Sequence, residues 1–526
     1  MNRKPLFLGI ALYLFCGCSP KHLLDVQIKD PCSQSTIQEA TEIQLSVKAA
    51  GNIQEYKWER ADGKGVFQGP VGEGMSIEVL LSRRDAGIFA RTTVGPLSIG
   101  EGTQFQGPLV LQPGRLDNFV RLGGALRNGA CSRDSLPSFF RAHTLLSSGT
   151  VLVQGGVSVD AGKLSSHAGL ETFSVQTGEF SDINETLTIN GAARAALVGH
   201  TLHEISKDKW IVVGGLREWV DFNEEAKNVA TRRILIGRQV DHSITDFVET
   251  AHPRGFHSGT VLDDGRVLLV GGRCSRTDSI STTAVACAAE SCIDGASLIT
   301  EIYDPIKNSV ECGPKLNNPR FLHQAKEISS GQIVIAGGQT LVKAEESIEL
   351  IDINEGTSEV VGSFRSPKYF SSIAITEGWI VASGGSRAIA SRPEYSEATA
   401  DIEILKNEGN SFIHVDEDCA EPLALREPRS AGAITPLTES DYLIVAGVGE
   451  SGEFLSSAER LVINPESPCN SEFLPVAIGL KSGQYWPNLT VLAWGDVLVT
   501  GGVRFSGGSL RATESVELYI RGDSNF

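Results

Sequence analysis

Histidines, arginines and cysteines recur at fixed places in this chain, and chemistry could sit on any of them. His200, His257 and His323 each stand 14 residues before a Gly-Gly pair. Neutral imidazoles ligate metals and move protons. Three at equivalent positions of a repeat instead favour packing, with ring nitrogens bonded to backbone. Arginine follows the Gly-Gly pair closely as Arg217, Arg273, Arg387 and Arg504. On one rim these groups would hold carboxylates or acidic glycans by forked hydrogen bonds; taken singly, each would pair with a local strand glutamate. Trp219 and Phe222, in the insertion after Arg217, suit either a partner's pocket or their own loop. The pair Cys287-x4-Cys292 has a zinc-like spacing but no histidine nearby. No P-loop and no Gly-x-Ser-x-Gly elbow occurs.

The elements that must position these residues follow from the glycine pair itself. Each copy ends a short apolar run: Val151–Gly156, Ile211–Gly215, Val267–Gly272, Ile333–Gly338, Ile380–Gly385 and Val497–Gly502, with a worn copy at Leu443–Gly447. The spacing of 47 to 66 residues marks a repeat architecture. Before the run come segments such as Pro253-Arg254-Gly255-Phe256-His257 and Pro367-Lys368-Tyr369-Phe370; after it come strands opening on glutamate, such as Glu301-Ile302-Tyr303 and Glu517-Leu518-Tyr519. Each unit reads as turn, strand, Gly-containing hairpin, strand, loop, strand. The distance from the second glycine to the next strand glutamate is 15, 29, 11 and 18 residues in copies one, three, four and five, so length variation gathers on one face. The last copy stops one strand short after Ile520, and Phe119-Val120-Arg121-Leu122 is expected to supply the missing outer strand.

Composition agrees with an all-β chain: 56 glycines, 2 methionines and 41% apolar residues suit short strands and tight turns. The formal charge of −18 and the lack of any basic run exclude a nucleic-acid partner. Arg3 and Lys4 precede an apolar stretch from Leu6 to Phe15, of secretory-signal length. Export into an oxidising compartment makes disulfides the default for Cys32, Cys131, Cys274, Cys287, Cys292, Cys312, Cys419 and Cys469. Four of these, from Cys274 to Cys312, fall in one repeat; spacing leaves the pairing open. Between residues 19 and 114, Ile43, Leu45 and Val47, then Ile77 and Val79, alternate with polar residues, the mark of a β-sandwich.

These motifs carry four resemblances. The repeat resembles the kelch repeat, each copy of which is a blade, and implies a seven-bladed β-propeller over residues 115–526. Leu14-Phe15-Cys16-Gly17-Cys18-Ser19 resembles a bacterial lipobox; it implies a signal peptide over 1–17, a lipid on Cys18, and, through Ser19, sorting to the outer membrane or cell surface. Trp58 and Asp85-Ala86-Gly87-Ile88-Phe89-Ala90 resemble the core tryptophan and corner segment of immunoglobulin-like domains over 18–114, with Arg91 where a sheet-bridging cysteine would fall. Galactose-oxidase-like propellers share the kelch fold and need tyrosines, histidine and a crosslinked cysteine around copper; with 8 tyrosines and no such grouping, no cofactor is expected. Arg521-Gly522-Asp523-Ser524 contains the integrin-binding tripeptide and reads as the polar end of the last strand. The expectation is a lipid-anchored, non-catalytic envelope protein that binds protein or glycan through the variable face. A carbohydrate-active enzyme or oxidase, and a structural scaffold of an envelope complex, are the alternatives.

Overall fold

The computed structural model describes most of residues 22–522; residues 1–21, 29–38, 100–108, 122–137, 184–196, 219–228, 278–286, 389–396, 523–526 and several shorter stretches lie outside the described part. The described elements are β-strands apart from a 3-10 turn at Pro468–Asn470 and a helical residue at Glu39. After residue 114, seven antiparallel sheets follow one another along the sequence. Their first strands are Ala142–Leu145, Thr201–Ser206, Ser258–Val261, Gln324–Ser329, Ser372–Ile375, Ala433–Thr438 and Asn488–Val491. Their second strands are the apolar runs before the glycines, from Thr150–Gln154 in sheet one to Val497–Thr500 in sheet seven.

Apolar runs without alternation mean strands covered on both faces. Val267, Leu268, Leu269 and Val270 are all fully buried, each worth about 1.5–3 kcal/mol of transfer free energy. The cover comes from the neighbouring sheets. Leu152 of sheet one and Val212 of sheet two share a cluster, as do Val213 and Leu269 of sheets two and three. Val151 and Phe173 of sheet one pack in the same way with Leu498 and Leu518 of sheet seven. The first strands of successive sheets lie side by side, and that of sheet one lies beside that of sheet seven.

Sheet seven takes its outer strand from before sheet one. Asn118–Arg121 pairs antiparallel with Val516–Ile520, Phe119 opposite Tyr519. The expected outer strand is therefore present, one residue earlier than its apolar run suggested. Ahead of it, strands Asn52–Trp58, Glu42–Ala49, Gly72–Arg83, Gly87–Ile99 and Gly114–Arg115 form a sheet in that order, and Lys64–Gly69, His22–Ile28 and Leu109–Leu111 form another. Ile43, Leu45, Val47, Ile77, Val79 and Leu81 are fully buried or nearly so, as their alternation requires.

Candidate functional site

Just before each first strand, one residue takes the left-handed backbone conformation: Phe140, Gly199, Phe256, Leu322, Phe370, Ala431 and Trp486, with φ from +51° to +63°. Six of the seven carry a side chain, for which this conformation is uncommon, so tertiary contacts must impose it. The residue preceding each one bridges to the residue just past its own sheet's glycine pair, as in Phe139 with Val157, Phe321 with Gln339 and Tyr485 with Val503. This close return explains the second glycine: a Cβ on Gly156 would lie 2.6 Å from the Phe139 carbonyl oxygen, and one on Gly338 2.7 Å from that of Phe321. Backbone amides then stitch sheet to sheet. Phe256 donates to Gly199 (2.6 Å) and Leu322 to Phe256 (3.0 Å), while Ala431 donates to Phe370 (2.9 Å) and Trp486 to Ala431 (2.8 Å). The side chains meet at the centre, the Phe140 ring 4.3 Å from that of Trp486 and 5.0 Å from that of Phe256. One apolar cluster there draws residues from all seven sheets.

Behind these residues sits a repeated ionic clamp. Arg254 pairs with Glu301, Arg320 with Glu349 (2.5 Å) and Arg429 with Glu459 (2.9 Å), all but fully buried. Each carboxylate also accepts backbone amides of the segment entering its sheet, Asn317 (2.7 Å) and Asn318 (3.0 Å) for Glu349 and Arg426 (2.9 Å) for Glu459. In sheet two both members are apolar: Leu197 and Leu235 hold the equivalent places and share a cluster. The strand glutamates and the preceding basic residues were both visible in sequence, but their pairing was not.

Three histidines bond hydroxyls of the adjacent sheet, not the backbone expected from the sequence. His257 Nε2 lies 3.3 Å from Thr201 Oγ1 and His323 Nε2 2.8 Å from Ser258 Oγ, each on the preceding sheet; His143 Nδ1 lies 2.6 Å from Thr490 Oγ1, joining sheet one to sheet seven. Burial, reinforced by the Arg320 and Arg254 guanidinium groups, lowers the His323 pKa to about 3. His200 falls to about 3 and His143 to about 4 for the same chief reason.

A cavity of about 220 Å³ opens beside the left-handed residues of sheets four to seven. Leu322, Phe370, Ala431 and Trp486 border it together with Gln324, Gln339, Lys368, Ser371 and Ser372. Lys368 occupies the clamp position of sheet five; its Nζ donates to Ser366 O (2.8 Å) and lies 3.3 Å from Asp401 Oδ2. Sequence reasoning missed this cavity because its lining comes from four sheets, although Lys368 in place of arginine was a readable signal.

The arginines expected at the rim differ in exposure and partners. Arg217 is exposed and Arg504 half-buried. Arg273 is buried, donates to Gly295 O (3.1 Å) and lies over the Phe321 ring at 5.8 Å. Arg387 is exposed and pairs with Asp401 at 3.0 Å. Trp219, Phe222 and Cys18 lie outside the described residues. Among the described residues the cysteines pair as Cys274–Cys292, Cys287–Cys312 and Cys419–Cys469; Cys32 and Cys131 lie outside the described residues. Arg521 donates to Leu437 O (3.0 Å), and Gly522 N to Asp117 (3.0 Å), which ties the start of the Arg-Gly-Asp tail to the sheets.

No protein-family model matches the chain, and no curated protein does. Among solved structures it is similar to a fungal alcohol oxidase of the AA5 family in complex with copper, at 13% identity and a TM-score of 0.50, over 74% of this chain and 75% of that one. The fold is therefore galactose-oxidase-like and all-β. The expectation of a non-catalytic binding protein rested on architecture, and this likeness overturns it: the same architecture carries an oxidase. The residues described here do not fit copper. Phe, Leu, Ala and Trp fill the central positions, and the nearest imidazoles point Nε2 at neighbouring hydroxyls. Among the described residues no three His, Cys, Asp or Glu are grouped to hold a metal.

Proposed function

We propose that this chain is a carbohydrate-active enzyme, acting on a hydroxyl-bearing substrate of about one sugar ring in the cavity of sheets four to seven. The cavity carries this reading. Its aromatic rings, Phe370 and Trp486, suit the C–H face of a sugar, and the side chains of Gln324, Gln339, Ser371 and Ser372 suit its hydroxyls. At about 220 Å³ it lies below the ~300–1,000 Å³ of pockets that take drug-sized ligands, so the substrate is one ring or a chain end. An enzyme is favoured over a passive binder because the scaffold resembles that of an alcohol oxidase.

The same reading takes the seven sheets as blades of a kelch-type propeller over residues 115–526, supported by the packing of sheet one on sheet seven. It takes 18–114 as an immunoglobulin-like sandwich. It places the protein at the outer membrane or cell surface behind a signal at 1–17 and a lipid on Cys18, supported by the three disulfides of an oxidising compartment.

Incubating the purified protein with a panel of sugars and simple alcohols, with and without added copper, and following product mass and peroxide release tests the enzyme. Conversion of a sugar is the expected outcome. A panel left wholly unchanged under both conditions would refute it.

A further inference from the structure

We infer that Gln324 sets the specificity of this cavity: its carboxamide grips two adjacent hydroxyls of a neutral sugar, one through its oxygen and one through its nitrogen. The inference deepens the proposed function and rests on it. The repeat places the side chain. Thr201, Ser258 and Gln324 hold one register, each opposite the residue before its sheet's first glycine. Thr201 and Ser258 turn their hydroxyls to the next sheet, onto the imidazoles of His257 (3.3 Å) and His323 (2.8 Å). Those rings fill the space between the sheets: a Cβ on Gly214 would lie 2.9 Å from His257 Cε1, and one on Gly271 3.1 Å from that of His323.

The join between sheets four and five lacks the ring. Ser371 holds the histidine's place there, and Gly432 and Pro487 hold it in sheets six and seven. All three border the cavity, which opens where they replace the larger Arg141, His200, His257 and His323 of sheets one to four. Ile373 covers Gly337 in place of an imidazole, and Gln324 is left without the partner that its counterparts have. It is exposed, borders the cavity, and forms no side-chain hydrogen bond with any described residue. Gln339, which also borders the cavity, is 6% exposed and equally unbonded through its side chain among the described residues. Sheets one, six and seven have Val157, Val448 and Val503 at its place. A buried carboxamide without a partner is costly, so its partner comes with the ligand. Lys368 borders the cavity as well, but its ammonium bonds Ser366 O and Asp401, which do not. The polar groups left for a ligand are the two carboxamides and the hydroxyls of Ser371 and Ser372, all neutral and all able both to donate and to accept. They suit neighbouring hydroxyls and offer no counter-charge to an acid or an amine.

Titration calorimetry of the full chain with methyl glucoside, methyl galactoside and methyl mannoside finds the tightest ligand, and monodeoxy analogues of that sugar read the contact. Two analogues, lacking adjacent hydroxyls, should each bind the parent protein about tenfold more weakly. Gln324→Ala should weaken the full sugar by about tenfold or more and treat those two analogues like the full sugar. Because Gln324 is exposed, the variant should keep the parent's melting temperature. Ser371→His with Ile373→Ala copies His323 and Ala325 of sheet four and should abolish binding by filling the cavity. A Gln324→Ala protein that binds the sugar like the parent, or that still discriminates against both analogues, overturns the inference and leaves the proposed function standing; so does a folded double variant of full affinity. A parent that binds and converts no sugar sinks the proposed function, and the inference with it.

Discussion

Arg91 reaches across from the N-terminal sheet to Asp496 in a turn of sheet seven, Nη2 to Oδ1 at 2.5 Å, with side chains 4% and 0% exposed. Its Nε donates to Arg521 O (2.9 Å), and Asp496 also accepts Trp494 Nε1 (2.8 Å) and Arg521 N (3.0 Å). Arg91 thus ties the N-terminal sheet to sheet seven. Strand Asn488–Val491 begins beside Trp486 and runs toward this turn, so the tether and the cavity lie at opposite ends of sheet seven.

Removing Arg91 strands a buried carboxylate. Arg91→Met is expected to cost about 3–5 kcal/mol, whereas Arg91→Met with Asp496→Leu, which removes both charges, should recover a large part of that loss. A double-mutant cycle in denaturant measures the coupling. Additive single losses would show that the two charges do not act as a pair.

The closing strand offers a sharper probe of the sheet order. Phe119 is 2% exposed, its ring 5.4 Å from that of Tyr519, whose hydroxyl donates to Asp117 at 3.0 Å. Phe119→Ala should lower stability by about 3–5 kcal/mol, and deleting 115–125 should lower the melting temperature further. A deletion variant that melts like the parent would mean that sheet seven does not need this strand.

Much of this was legible in the sequence, for a physical reason. A strand covered on both faces must be an unbroken apolar run, and the close return of the chain must have glycine, so both leave local marks such as Val267–Gly272. The missing outer strand of sheet seven announced itself as an unpaired apolar stretch at Phe119. Pairings across long separations left no local mark: Arg320 meets Glu349 and Arg91 meets Asp496 only once the sheets assemble. The left-handed φ of Phe140, Phe256 and Trp486 was equally hidden, because those residue types do not favour it.

The buried histidines predict acid sensitivity with a definite sign. The pKa of His323 falls from 6.5 to about 3 and that of His143 to about 4 on folding, mainly through burial. A lowered folded value means that stability is full above pH 6.5 and is lost as pH falls toward the folded values. At about 1.4 kcal/mol per pH unit, each such histidine removes on the order of 3 kcal/mol between pH 6.5 and pH 4. His323→Gln keeps a partner for Ser258 but cannot titrate, so its melting temperature should fall less steeply over that range. Parallel slopes for the variant and the parent would show that this imidazole does not set the acid limit.

Sheet two supplies the control for the clamp. With Leu197 and Leu235 where its neighbours have arginine and glutamate, it shows that the fold accepts an apolar pair in this space. Arg320→Leu alone leaves Glu349 buried at 0% exposure without its main counter-charge and is expected to cost about 3–5 kcal/mol. Arg320→Leu with Glu349→Leu should recover most of that loss. It should not recover all of it, because Glu349 also accepts the amides of Asn317 and Asn318, each bond worth about 1 kcal/mol. Chemical denaturation of the three variants measures both quantities. A double variant no more stable than Arg320→Leu would show that the clamp is held by its backbone bonds, through the carbonyls of Gly337 and Ser347, and not by the burial of its charges.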